Sequence, residues 1–153
     1  MELPEELRQA LEADDAEEFH LLLRRRRPED QAALLALLTP DPSVPPDHRT
    51  KALYGLGQWG DPTVVPAITR LLPELDDRGK IAALSALGRL PTPQSTAALA
   101  EHVHDASPQV RKTAVVALSK SEAPEARATL REVAAAEPVE WLRDLAARAV
   151  SAE

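Results

Sequence analysis

The sequence predicts an all-α fold, an α-solenoid of stacked antiparallel helical hairpins, and three observations predict it. First, Arg49-x-x-Ala52-Leu53-x-x-Leu56-Gly57 returns as Lys80-x-x-Ala83-Leu84-x-x-Leu87-Gly88 and as Arg111-x-x-Ala114-Val115-x-x-Leu118-Ser119, a period of 31 residues; a looser copy, Arg143-x-x-Ala146-Ala147-x-x-Val150, follows after 32. Second, Asp61-Pro62, Thr92-Pro93 and Ala123-Pro124 precede Ile68, Leu99 and Leu130 on one spacing, so the second half of each unit repeats as well. Third, no stretch alternates apolar and polar residues as a half-buried strand does. A fixed period of this size marks a stack in which each unit buries its apolar face only against its neighbours.

The elements follow in chain order. Residues 1–45 read as a degenerate N-terminal cap. Leu3–Leu11 forms a short covering helix. Asp14–Arg26 forms a first helix, with Asp14 or Asp15 as N-cap and Phe19, Leu22 and Leu23 facing in. Pro28–Leu38 forms a second, with Leu34, Leu37 and Leu38 in the places of Ile68, Leu71 and Leu72. A proline-rich loop from Thr39 to Pro45 leads into three repeats over 46–137, with helices expected at 47–57, 62–73, 77–89, 93–105, 108–119 and 124–136. Residues 138–153 form a C-terminal capping helix, expected at 138–151, so that 1–153 is one domain. In each repeat the first helix, A, is expected to close on a left-handed residue at Gly57 or Gly88. The second, B, opens on a proline, whose missing N–H has no partner in a first turn. Asp61 and Thr92 cap helices B, whereas Ala123 has no side chain to do so. Pro46, Pro108 and Pro138 open A helices in the same way. The small residues Ala52, Ala83, Ala114 and Ala146 let A helices approach, placing the A helices on the convex side of a right-handed stack and the B helices on the concave side.

Composition narrows the function classes. Apolar residues make up 44% of the chain and aromatics 3%, so the core is built from Leu, Ala and Val. The formal net charge of −7 disfavours nucleic acid, whose affinity comes mainly from Lys and Arg neutralising phosphates. Cysteine is absent, the acidic start Met1–Glu6 is unlike a secretory signal, and no apolar run reaches membrane-spanning length. These features lead to the expectation of a cytoplasmic protein without membrane attachment. The excess of Arg over Lys hints at a GC-rich bacterial genome.

The recurring Arg-x-x-Ala-x-x-x-Leu-Gly phrase followed by Asp-Pro resembles the HEAT repeats, specifically the short bacterial type of phycobilin lyase subunits. The segment Asp61-Pro62-Thr63-Val64-Val65-Pro66-Ala67-Ile68, with its mid-helix Pro66, is most similar to that type. The resemblance covers about residues 46–150. It implies a HEAT-like superhelix and leaves function open, since such repeats serve as scaffolds, adaptors, enzyme subunits and inhibitors. Some are di-iron hydroxylases whose repeats carry adjacent His-Glu pairs. Here Glu101 and His104 share a helix face, but no His-Glu dipeptide occurs, so that reading fails on its own motif.

Other candidate chemistry is sparse. Arg24–Arg27 is the only basic run, and with acids on both sides it reads as a helix C-terminus complementing the helix dipole. His102 falls on a core-facing position, where a half-buried, hydrogen-bonded histidine is expected. No catalytic residue, metal ligand or cofactor site is assigned. The leading expectation is a non-catalytic scaffold holding another protein on the concave B-helix face. That face carries Ala67, Arg70 and Glu74, then Ala98, Glu101 and Asp105, then Thr129 and Glu132: a small centre with an acidic edge. The alternatives are a lyase-like or maturation subunit acting on a small molecule with a partner chain, and a nucleic-acid-binding repeat protein. Trp141 and Leu145 stand where Gln109 and Thr113 stood one unit earlier. Trp141 is expected to fold over Val133 and Leu130 as the terminal cap; the competing reading is a docking patch for a partner or a weak homodimer of an otherwise monomeric chain.

Overall fold

The computed structural model describes residues 2–152; Met1 and Glu153, the two ends of the expected domain, lie outside the described residues. Among the described residues, ten α-helices make up the stack: α1 (Glu5–Glu12), α2 (Ala16–Arg25), α3 (Pro28–Ala36), α4 (Pro46–Trp59), α5 (Val65–Leu71), α6 (Asp77–Gly88), α7 (Pro93–His102), α8 (Pro108–Ser119), α9 (Pro124–Ala136) and α10 (Glu140–Ser151). No strand occurs among the described residues. Helices α4, α6, α8 and α10 form the A layer and α5, α7 and α9 the B layer; successive A helices pack on one another, successive B helices do the same, and α6 and α8 pack on their hairpin mates α7 and α9. The core is continuous from Leu7 and Leu11 through Leu53, Ile68, Leu84 and Leu118 to Leu142 and Ala146. The repeat alanines Ala52, Ala83, Ala114 and Ala146 are fully buried, as the repeat requires.

Helix starts follow the sequence closely. Asp15, Asp61, Asp76 and Thr92 accept hydrogen bonds from the N–H groups of Glu17, Thr63, Gly79 and Ser95. Ala123 offers no side-chain cap, and the Ser121 Oγ instead accepts from the Ala123 N–H at 3.2 Å. Pro28, Pro46, Pro93, Pro108 and Pro124 each fall in a first turn, where the absent N–H costs nothing.

Three expectations are corrected. Gly57 and Gly88 are not left-handed caps: α4 runs through Gly57 to Trp59 and closes on Gly60 at φ 71°, while α6 closes on Arg89 in the right-handed region. Both glycines serve close approach between helices. A Cβ on Gly57 would lie 2.9 Å from the Ala86 Cα, and one on Gly88 would lie 2.8 Å from the Ala117 Cβ, so the contact repeats with the 31-residue period. Helix 62–73 is broken into a 3₁₀ turn at Pro62–Val64, α5, and a second turn at Leu72–Glu74. Pro66 and Pro73 cannot donate to an α-helical ladder, so each sits at the start of its own segment. Pro138 precedes α10 without opening it; the Glu137 carboxylate takes that place by accepting the Val139 N–H at 3.0 Å. Successive A helices touch backbone to methyl, whereas α5 and α7 meet through side chains such as Gln94 and Thr69.

The N-terminal cap is tied to the first repeat by polar contacts onto α4. The Lys51 ammonium donates to the Leu11 and Ala13 carbonyls, the Trp59 indole to the Leu23 carbonyl, and His20 bonds the Tyr54 hydroxyl at 3.0 Å. Arg24 and Arg25 end α2, as the dipole argument anticipates, and Arg25 and Arg27 pair with Glu6. Arg26 adopts φ 48°, a left-handed conformation that favours glycine. Asp30 is fully buried, with one carboxylate oxygen on Arg27 Nε at 2.9 Å.

Candidate functional site: two helical faces

The expected B-layer surface is partly assembled. Arg70, Glu101 and Glu132 are exposed on α5, α7 and α9, and Ala67, Ala98 and Thr129 are half-buried between them, so the small centre and charged edge exist. Glu74 is exposed in the turn after α5. Asp105 does not belong to this set. Helix α7 ends at His102, and Asp105 lies in the loop beyond, where it holds Lys80 Nζ at 2.9 Å and accepts from the Ser107 N–H. Its side chain is only 10% exposed. Burial by itself would raise its pKa; the Ser107 N–H and the Lys80 ammonium outweigh that and hold it below the ordinary value. His102 is half-buried, its Nδ1 2.8 Å from the Ala98 carbonyl oxygen, a structural contact within its own helix.

The recurring cation of the repeat turns out to be an inter-repeat clamp. Arg49 donates to the Thr39 and Asp41 carbonyls, Arg111 to the Asp105 and Ala106 carbonyls, and Arg143 to the Glu137 carbonyl, each fixing the loop that leads into its own A helix. Lys80 and Arg111 also reach forward to Asp105 and Glu137, and the Arg111–Glu137 pair is bidentate at 2.9 and 3.1 Å. Glu137 is buried. Desolvation raises its pKa, but the Arg111 guanidinium, the Val139 N–H and the charge of Arg143 prevail and lower it. Buried charges persist in this way when they are paired and hydrogen-bonded.

The cleft that sequence reasoning missed lies on the other layer. Between α6 and α8, Ile81, Ser85, Val116 and Ala117 form the floor of a groove of about 690 Å³, and Arg89, Gln109, Lys112, Thr113 and Lys120 stand around it. Ile81, Ser85, Lys112, Thr113, Val116 and Ala117 are unspecified positions of the repeat phrase, and Arg89, Gln109 and Lys120 flank it. In register, Tyr54, Ser85 and Val116 make one row; Gln58, Arg89 and Lys120 make another; Asp47, Arg78, Gln109 and Trp141 make a third. Neighbours within rows do touch: Arg78 pairs with Asp47 at 2.9 Å, and Arg89 donates to Gln58 at 3.3 Å. The signal that pointed here was the same alignment, read at the variable positions instead of the constant ones.

Trp141 is not the terminal cap. It is 45% exposed, while the adjacent Leu142 and Ala146 are fully buried and close the end of the stack. On a helix the next residue is turned by about 100°, so Leu142 takes the inward direction and Trp141 extends the outer row of the A layer. Among the described residues, no group of three or more His, Cys, Asp or Glu is gathered as a metal centre needs, and no helix is long and apolar enough to cross a membrane.

No curated protein matches the sequence. A family model described as HEAT repeats matches residues 68–151, more than half of the chain and the part that runs from α5 through α10. With the double in-register repeat, the hairpin stack and this match together, the chain belongs to the HEAT-repeat family.

Proposed function

We propose that this protein is a non-catalytic interaction module that holds a partner protein on the open A-layer groove. HEAT repeats commonly mediate protein–protein interaction, which supports the module reading. The observation that carries the choice of face is the groove itself: an apolar floor of Ile81, Val116 and Ala117 set between polar side chains at repeat positions that do not recur. Constant positions build the stack, and variable solvent-facing positions are free to specialise. The second reading keeps the expected B-layer surface, favoured by the exposed Glu101 and Glu132 beside half-buried Ala98 and Thr129. A cytoplasmic setting in a bacterium accompanies either reading.

A photo-crosslinking amino acid introduced in separate variants at Ser85 and at Glu101, in the protein expressed in its own host, tests the proposal. Adducts with a defined partner from position 85, and few from position 101, are expected. Adducts only from position 101 would move the working surface to the B layer, and none above the unirradiated control at either position would overturn the module reading.

A further inference from the structure

Resting on that reading, we infer that the groove between α6 and α8 accepts an acidic amphipathic helical segment of the partner. The chain has 25 acidic and 18 basic residues, so a cleft lined at random would be expected to include carboxylates. This one is lined by three cations and no acid. Lys112 and Lys120 are exposed and, among the described residues, make no side-chain hydrogen bond or ion pair, and Arg89 donates there only to the neutral amide of Gln58. Elsewhere the stack satisfies its partly buried cations: Lys80 with Asp105, Arg111 with Glu137. Glu140 and Asp144 on α10 lie outside the lining, as do Glu122 and Glu125, which border a separate cleft on the other side of Lys120.

The shape and chemistry select a peptide. The floor runs between two adjacent A helices and offers Ile81, Val116 and Ala117 to apolar side chains spaced three and four residues apart on an incoming helix. Its Asp and Glu residues then face Arg89, Lys112 and Lys120. Nucleic acid is the weaker occupant, because its affinity grows with the number of phosphates neutralised, and three cations on a chain of net charge −7 neutralise few.

The test uses a fluorescent Leu/Glu amphipathic helix of about 15 residues, long enough for four turns, with a Leu/Lys peptide of the same pattern and a single-stranded DNA of similar charge as comparators. Fluorescence anisotropy should show saturable binding of the Leu/Glu peptide, weakened about tenfold or more on raising salt from about 50 to 500 mM, since exposed charges are screened over roughly 10 Å or less. The double variant Lys112→Glu/Lys120→Glu should lose binding by at least a similar factor, and Glu101→Lys/Glu132→Lys should retain it. No saturable binding of the Leu/Glu peptide, equal or tighter binding of the Leu/Lys peptide or the DNA, or indifference to reversal at Lys112 and Lys120 would overturn the inference. Crosslinking from position 85 to a partner segment without acidic residues would overturn it as well, while leaving the module reading intact.

Discussion

Replacing Gly88 by alanine tests the packing argument where its consequences are largest. The added methyl would sit 2.8 Å from the Ala117 Cβ and 3.4 Å from its Cα, against an optimum carbon–carbon separation of about 3.5–4.0 Å. To accept it, α6 and α8 must separate locally by several tenths of an ångström or more. Overpacking of this kind costs about 1–3 kcal/mol. Alanine is favoured over glycine by up to about 1 kcal/mol in a helix interior, and less here because Gly88 is the last residue of α6. The net expectation is a destabilisation of about 1–2 kcal/mol. Ala117→Gly removes the methyl that is struck, leaving the 3.4 Å approach to the Cα. The double variant therefore moves one methyl from α8 to α6, and a double-mutant cycle should return a favourable coupling of about 1–2 kcal/mol. Urea titration followed by helical circular dichroism, compared at constant slope, gives all four corners of the cycle. Gly60→Ala is the control: no atom lies within 4 Å of its new Cβ, but φ is +71°, so it should cost about 1 kcal/mol with no relief from Ala117→Gly. A neutral or stabilising Gly88→Ala, or a strictly additive cycle, would refute close helix approach as the reason for this glycine.

Three further outcomes follow from the same structure. Leu142→Ala should cost about 2–5 kcal/mol by thermal or urea melting, and Trp141→Ala less than about 1 kcal/mol, because Leu142 closes the stack and Trp141 is 45% exposed; the reverse ranking would restore Trp141 as the cap. Arg26→Gly should stabilise the chain by up to about 1 kcal/mol by relieving a left-handed non-glycine residue at φ 48°, and a measured loss of stability would contradict this. Glu137 and Asp105 have lowered folded-state pKa values, so their contribution is complete above the ordinary values of 4.5 and 3.8 and disappears as pH falls through the lowered ones. Glu137→Gln should therefore cost about 1–3 kcal/mol near neutral pH and flatten the decline of stability under acid, read from urea midpoints across pH; an unchanged profile would mean that the Arg111–Glu137 clamp contributes nothing.

The sequence by itself determined the class of fold, the register of the hairpins and most helix starts. A helix start is written locally, as Asp61 or Thr92 followed by proline, and the buried positions are written in the period because each repeat meets a copy of itself. The helix ends were less legible. Whether Gly57 terminates α4 or lies against Ala86 depends on how closely the next repeat approaches, and no neighbouring residue in the chain encodes that distance. The same holds for Asp105, which counting along an ideal helix puts on an exposed face. The tertiary structure ends α7 at His102, and the forward reach of Lys80 then draws the carboxylate inward. Trp141 likewise looked inward because it replaced a polar residue, yet the helix phase gave the buried position to Leu142. The groove between α6 and α8 exists only once two A helices are set side by side, since its floor and rim combine residues about 31 apart in the chain. Constant repeat positions reveal the stack because burial restricts them alike in every unit; variable positions acquire meaning from their neighbours across the repeat, and only packing supplies those neighbours.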